Sequence, residues 1–189
     1  MDYKTFEKAI DFAVKAHSGQ TRKDGTLFIL HPMEVAAIAG TLTKNTDVLC
    51  AAVLHDTVED TATTAQDIFD NFGERIAELV ACETENKRPH MKASDSWEIR
   101  KEESLDELKE SDDVEVKILW LSDKLSNMRA LARDFDKLGA AVFDRFNNKD
   151  PKAQGWYHFS VLGATAELRG TAAYNEYENL VHHVFDDFE

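Results

Sequence analysis

Apolar residues recur every three or four positions along most of the chain, which is the spacing of one buried helical face. Alternating runs typical of strands are few, and the chain contains only 3 Pro and 8 Gly. These features predict an all-α fold. The first apolar series, which ends near the glycine at position 19, consists of Phe6, Ile10, Ala13, Val14 and His17.

Capping residues and prolines indicate where the next helices begin. Pro32 is expected at the first position of the second helix, because its missing N–H would have no partner there. Thr46 or Asp47 can cap a third helix, DVLCAAVLHDTVED, which we predict to be continuous over residues 47–60. Thr63 followed by Gln66 resembles a capping box for the helix after that.

The second half of the chain repeats this organisation. Residues 85–95 form a polar stretch that predicts a mobile loop, and the charged helix after it, residues 96–110, should have a mostly solvated exterior. Asp112 or Asp113 is expected to cap the most apolar helix, and Asp150–Pro151 to begin another. Without repeats or linkers, residues 1–189 are predicted to form a single-domain helical bundle.

Charge narrows the classes of ligand. The formal net charge of −14 argues against long nucleic acid, since phosphate backbones need basic surfaces. It leaves open a small phosphorylated ligand held by local cations or a metal. The N-terminus lacks a signal-peptide pattern and no apolar run is long enough to span a bilayer, so we expect a cytoplasmic protein without a membrane partner. Cys50 and Cys82 are interpreted as core residues in a reducing compartment.

The third helix ends in titratable residues. In a continuous helix, His55, Asp56, Glu59 and Asp60 would lie within an arc of roughly 140° and could face one cavity. An acidic helix end in water is the alternative interpretation of Glu59 and Asp60.

Two further segments add candidate ligands. Asp123 lies in the apolar segment ILWLSDKLSNM with Asn127 one turn later, although Asn127 could equally be a core polar residue satisfied by a neighbour. His31 precedes Pro32, where a hydrogen-bonded structural histidine is the more common case. Two imidazoles and two carboxylates nevertheless suit a divalent transition metal, and the candidate ligands are His31, His55, Asp56 and Asp123.

The order H, HD, D resembles the HD superfamily of metal-dependent phosphohydrolases. The motifs AHSGQTRKDGTLFILHP, LHDTVEDT and LSDKLSNMR more narrowly resemble the hydrolase domain of the RelA/SpoT alarmone enzymes and their small stand-alone relatives. The resemblance implies an HD-type bundle in which one metal, usually manganese, is bound by the four candidate ligands. It implies that Glu59 and Asp60 are the catalytic acids.

The resemblance also implies nucleotide contacts. Arg22 and Lys23 would flank the guanine and phosphates, Asn127 would lie at the nucleotide, and Tyr157 near the ligand. From the residues alone, a solvated basic turn is the more common case for Arg22 and Lys23. FILHP departs from the commoner YI-HP form of the family. The loop ETENKRPHMKASDSWEIRK, residues 83–101, resembles a subgroup of small HD proteins more than the best-known alarmone hydrolases, which bears on the substrate.

The implied reaction is removal of the 3′-pyrophosphate of guanosine tetra- and pentaphosphate by a metal-activated water. One alternative is hydrolysis of another phosphorylated nucleotide, such as the 2′-phosphate of NADPH or a nucleoside monophosphate. A second alternative is a sensor that binds a nucleotide without turnover. The sequence leaves homo-oligomer formation open.

Overall fold

The structure is a computed structural model that describes residues 2–188. Within these residues the protein is helical, and its β-structure is an isolated bridge between Thr21 and Leu27. The prediction of an all-α fold is therefore confirmed. Short 3₁₀ segments cover Gly139–Arg145, Ala166–Leu168 and Asp186–Phe188. The α-helices are α1 (Tyr3–Ala16), α2 (Leu30–Leu42), α3 (Thr46–Leu54), α4 (Thr57–Asp60), α5 (Ala65–Phe72), α6 (Glu74–Glu83), α7 (Trp97–Glu110), α8 (Val114–Leu138), α9 (Pro151–Ala164) and α10 (Ala172–Phe185).

Helices α3 and α8 form the centre of the bundle. Helix α3 is apolar on all sides, because α1, α2, α6 and α8 surround it and nearly all of its residues are buried. The 25-residue helix α8 packs against α2, α3, α6, α9 and α10. The buried hydrophobic residues form one cluster, in which Trp120, Tyr174 and Tyr177 are the largest fully buried side chains.

Several predicted helix starts are confirmed. Asp113 caps α8 by accepting a hydrogen bond from the Glu115 N–H, and Asp150 caps α9, whose first residue is Pro151. Two other caps were predicted one or two residues away from their positions in the structure. The capping box of α5 joins Thr64 and Asp67 instead of Thr63 and Gln66. The cap of α3 is Asn45, whose side chain accepts from the Asp47 N–H at 3.0 Å.

The prediction of one continuous helix over residues 47–60 is wrong. Helix α3 ends at Leu54, and α4 begins at Thr57. Two side chains take carbonyl groups that a continuous helix would use: His55 Nδ1 bonds the Ala52 carbonyl at 2.9 Å, and Thr57 Oγ1 donates to the Leu54 carbonyl at 2.6 Å. The regular helix is interrupted at His55 and Asp56, between α3 and α4.

Three smaller expectations also need correction. Pro32 is the third residue of α2, because the helix already begins at Leu30. Val14 is 48% exposed, since α1 buries its alanine face, and Cys82 is exposed whereas Cys50 is buried. None of the helices described over residues 2–188 has the length and apolar character needed to cross a membrane.

Candidate active site

Four side chains from three parts of the chain converge at one buried point. His31 lies in the first turn of α2, His55 and Asp56 occupy the break after α3, and Asp123 lies in α8. The Nε2 atom of His31 is 3.0 Å from Asp123 Oδ1 and 3.6 Å from Asp56 Oδ2. The Nε2 atom of His55 is 3.2 Å from Asp56 Oδ2 and 3.5 Å from Asp123 Oδ1. The break in the helix thus presents two adjacent residues to the same centre.

The hydrogen bond of His55 determines which ring nitrogen faces the centre. The Ala52 carbonyl can only accept, so His55 Nδ1 carries the proton and a neutral ring has its lone pair on Nε2. This Nε2 is buried and has no hydrogen-bond partner among residues 2–188. Its lone pair points at carboxylate oxygens, an arrangement that a cation between them would satisfy.

The donor set fits a divalent transition metal. His31, His55 and Asp123 are buried, and their ligand atoms lie within 4.8 Å of one another. Burial alone would raise the pKa of the Asp56 carboxyl, but positive charge on the neighbouring His55 and His31 rings, where a bound cation would also lie, lowers its pKa to about 2. Imidazole nitrogens and ionised carboxylates are the mixed ligands that such metals accept.

The two acids of α4 lie beside this centre and are held by the segment after α6. Glu59 Oε2 accepts the Glu85 N–H at 3.2 Å, and Lys87 Nζ lies 3.6 Å from Glu59 Oε1. Lys87 also bonds the Asp60 carboxylate. Burial raises the pKa of the Glu59 carboxyl. An acid with a raised pKa next to a metal-type centre is a candidate for proton transfer.

A cavity of about 480 Å³ opens in front of the centre. Arg22 Nη2 donates to Asn127 Oδ1 at 2.8 Å, and Asn127 Nδ2 donates to Asp123 Oδ1 at 2.8 Å. The basic loop is thereby connected to the centre through Asn127. Lys23 Nζ donates to the Arg145 carbonyl at 3.1 Å and lies 4.9 Å from the centroid of the Phe146 ring.

Tyr157 reaches the same cavity from α9. It is 4% exposed, and its buried hydroxyl has no hydrogen-bond partner among the described residues. Lys101 Nζ lies 4.6 Å from the centroid of its ring. Among the residues proposed from sequence for metal, catalysis or substrate, His55 alone is absent from the cavity wall, and those that line it are Arg22, Lys23, His31, Asp56, Glu59, Asp60, Asp123, Asn127 and Tyr157.

Sequence reasoning missed two cations on α7. Arg100 and Lys101 line the cavity and pair with Glu85, although this helix was expected to be mostly solvated. A signal was present: they lie three and four residues after the buried Trp97 and four residues before the buried Ser104 and Leu105, hence on the same helical face.

A buried ion pair was missed as well. Lys124 Nζ lies 3.3 Å from Glu83 Oε2 and 2.5 Å from Asp123 Oδ2, and the Lys124 side chain is only 12% exposed. Burial raises the pKa of Glu83 to about 8. Lys124 is therefore part of the cavity wall, whereas Arg129 pairs with Glu34 and Glu176.

The aromatic residue next to Tyr157 in the chain lies outside this cavity. Trp156 is 41% exposed and lies in a separate groove with Phe159, Phe185 and Phe188. Adjacent residues of a helix point about 100° apart, so Tyr157 and Trp156 face different surfaces.

Comparison with known proteins identifies relatives of this chain. The HD domain family matches residues 9–151. A guanosine-3′,5′-bis(diphosphate) 3′-pyrophosphohydrolase from Aquifex aeolicus is 38% identical over 125 residues, which are 66% of this chain and 17% of that protein. The bifunctional (p)ppGpp synthase/hydrolase SpoT of Escherichia coli K12 is 37% identical over 129 residues, covering 68% of this chain and 18% of SpoT. This chain thus spans less than one fifth of the length of these curated relatives.

Two solved structures share the fold. The crystal structure of lmo0812 from Listeria monocytogenes EGD-e has a TM-score of 0.70 and 31% identity, and covers 82% of this chain and 94% of its own. A metazoan ortholog of SpoT, described as hydrolyzing ppGpp, has a TM-score of 0.73 and 22% identity, with 93% of each chain covered. The family match spans most of the chain and includes all four residues of the centre, so this protein belongs to the HD domain family.

Proposed function

We propose that this protein is a manganese-dependent hydrolase that removes the 3′-pyrophosphate from guanosine tetra- and pentaphosphate. The observation that carries the proposal is the convergence of a buried His/Asp centre and two acids at one cavity. The names of the relatives from Aquifex aeolicus and Escherichia coli support this choice of substrate.

The metal ligands in this proposal are His31, His55, Asp56 and Asp123. When bound, a divalent cation lowers the pKa of a coordinated water towards ~7 and polarises a phosphoryl oxygen. The lone pair on His55 Nε2, fixed by the bond from Nδ1 to the Ala52 carbonyl, supports this ligand set. Manganese is proposed from the resemblance to the alarmone hydrolases.

The proposed acid and base follow from the surroundings of α4. Glu59 is the more buried of the pair and has a raised pKa, so we assign it the role of accepting a proton from the attacking water. Asp60 is more exposed and is bonded to Lys87. We assign Asp60, which lines the cavity, to orienting the water or the leaving group, with Lys87 holding its carboxylate.

The cations of the cavity wall form two groups, which supports a ligand with phosphates at two positions. Arg22, Lys23 and Arg145 come from the loop before α2 and the 3₁₀ segment after α8, and the planar guanidinium of Arg22 is suited to stacking on a base. Arg100, Lys101 and Lys124 come from α7 and α8, and Lys101 lies over the ring of Tyr157. A nucleoside monophosphate would use only one of these groups.

We further propose that the protein acts in the cytoplasm. Cys50 and Cys82 are free thiols, which suits a reducing compartment.

The test is an assay of the purified protein with manganese and guanosine tetraphosphate. The proposal expects guanosine 5′-diphosphate and pyrophosphate as products, little turnover after chelation, and loss of turnover in His55→Ala. NADPH and a nucleoside monophosphate are assayed in parallel. Release of orthophosphate from either, without pyrophosphate from the tetraphosphate, would replace this substrate with another nucleotide. Binding without any product, unchanged in Glu59→Gln, would indicate a sensor.

A further inference from the structure

A buried serine of α8 connects the metal-type centre to a carboxylate that lies outside it. Ser126 is 1% exposed and lies between His31 and Glu34, both of which belong to α2. Its Oγ atom is 2.9 Å from His31 Nδ1 and 2.8 Å from Glu34 Oε2. Ser126 therefore contacts His31 on the side of the ring that faces away from Asp123.

The protons of this chain of contacts can be assigned by counting donors. An ionised Glu34 can only accept, so the single hydroxyl proton of Ser126 is donated to Glu34. The Ser126 oxygen then has only lone pairs left for His31, and His31 Nδ1 must carry the proton. A neutral His31 consequently has its lone pair on Nε2, which is the atom 3.0 Å from Asp123 Oδ1.

Glu34 is held in place by Arg129 of α8, which also bonds Glu176 of α10. Arg129 Nη1 donates to Glu34 Oε1 at 3.0 Å. Along another edge of the same guanidinium, Nε and Nη2 donate to the two carboxylate oxygens of Glu176 in α10, at 2.6 and 2.7 Å. This contact holds the Glu34 carboxylate where its second oxygen can accept from Ser126.

We propose that Ser126 is a positioning residue that sets the tautomer and ring orientation of His31, with Glu34 as the acceptor that fixes the direction of its hydroxyl. Outer hydrogen bonds of this kind raise the fraction of imidazole that presents a lone pair to a metal, and their loss typically weakens metal binding. The inference rests on the proposed metal ligands and is independent of the identity of the substrate.

The first experiment is a calorimetric titration of metal-depleted protein with Mn²⁺. Ser126→Ala should bind Mn²⁺ about 10- to 100-fold more weakly than the wild type. The matched control is Ser122→Ala: Ser122 is also buried in α8, one turn earlier, but its hydroxyl donates to the Ile118 carbonyl at 2.7 Å. The control should bind Mn²⁺ like the wild type. Equal weakening in both variants would mean that any buried α8 hydroxyl matters for packing, and would overturn the proposal.

The second experiment reads the tautomer without metal or substrate. Nitrogen NMR of the imidazole groups, at a pH where His31 is neutral, should show His31 protonated at Nδ1 in the wild type and at Nε2 in a large fraction of Ser126→Ala. If that variant does not fold, Glu34→Ala replaces it, because Glu34 is partly exposed and its removal frees the Ser126 hydroxyl to donate to His31. Wild-type tautomer and wild-type Mn²⁺ affinity in the folded variant would overturn the proposal.

These readouts separate the inference from the proposed function. If the protein binds Mn²⁺ but does not hydrolyse guanosine tetraphosphate, the substrate proposal fails while the comparison of Ser126→Ala with Ser122→Ala still stands. If the wild type binds no Mn²⁺, the ligand set fails, and the inference fails with it.

Discussion

At the scale of single residues, Glu59 is distinguished from the proposed ligands by what it contacts. Its carboxylate accepts the Glu85 N–H and faces Lys87, whereas the ligands face one another. Glu59→Gln keeps the shape and the acceptor oxygen but removes the base. We expect kcat to fall about 10²- to 10⁴-fold while Mn²⁺ affinity stays close to that of the wild type.

This prediction is checked by steady-state kinetics together with Mn²⁺ titration. Glu102→Gln, an exposed change on α7, serves as the control and should retain full turnover. Weakened Mn²⁺ binding in Glu59→Gln would instead make Glu59 a ligand.

Glu83 gives a prediction about pH. Burial raises the pKa of its carboxyl from 4.5 to about 8, so the folded state holds a proton that the unfolded state has already released over this interval. The contribution of Glu83 to stability is complete below pH 4.5 and is lost as pH rises towards 8. Glutamine does not titrate, so the Glu83→Gln variant does not lose this stability as pH rises. We therefore expect its melting temperature, relative to the wild type, to increase steadily between pH 4.5 and 8.

Thermal unfolding of metal-depleted protein across this range provides the measurement. Glu78→Gln is the control, because the Glu78 side chain is 57% exposed and should produce no pH-dependent difference. A constant difference for Glu83→Gln across the range would contradict the raised pKa.

The metal-type centre could be proposed from sequence because titratable residues are rare in apolar segments such as those that contain its residues. Asp123 is an acid in an apolar helix, and His55–Asp56 follows a run of buried residues. Glu83 carried no comparable mark, because an acid at the end of a helix is ordinary. Its inward orientation depends on how α6 packs against α8, which local patterns do not encode.

At the scale of elements, the break between α3 and α4 determines where the two acids lie. Thr57 is fully buried, and its hydroxyl donates to the Leu54 carbonyl. Thr57→Val keeps the size and leaves that carbonyl without the hydroxyl. We expect a loss of about 1–3 kcal/mol in the free energy of unfolding and a lower kcat, because α4 is free to shift.

Denaturant unfolding and kinetics of the same samples check this prediction. Thr165→Val is a matched control: Thr165 is also fully buried and donates to the Val161 carbonyl, but at the end of α9. It should lose similar stability and keep its turnover. Equal loss of kcat in both variants would mean that the break has no special role.

The same break marks a limit of prediction from sequence at this scale. Helical periodicity and capping correctly predicted the starts at Asp113 and Asp150, because those signals lie within a few residues of the helix end. Periodicity also ran smoothly through His55 and predicted no interruption. At the end of α3 the side chains of His55 and Thr57 bond the carbonyls of Ala52 and Leu54, and these bonds depend on their rotamers in the packed core.

At the scale of the whole molecule, bound metal should stabilise the fold, because its proposed ligands come from three separate segments. At a free Mn²⁺ concentration 100 times the dissociation constant, linkage contributes about 2.7 kcal/mol. For a chain of this size that corresponds to an increase in Tm of roughly 5–11 °C. We expect one cooperative transition, consistent with a single continuous core.

Differential scanning calorimetry with and without Mn²⁺ tests this prediction, and EDTA should reverse the increase. His55→Ala is the control and should lose most of the Mn²⁺-dependent increase. The same increase in His55→Ala would indicate that Mn²⁺ binds elsewhere on the acidic surface.

Residues 123–127 of α8, little more than one helical turn, contribute side chains to several parts of the site. Asp123 belongs to the centre, Lys124 to the cavity wall, Ser126 to the link with Glu34, and Asn127 to the contact with Arg22. In directed evolution towards a different nucleotide, few substitutions in this turn would therefore be tolerated, since most of them would weaken binding of the cation. Diversity is better introduced at residues 145–147, which line the cavity from a separate segment, so that specificity can be altered while the catalytic centre is preserved.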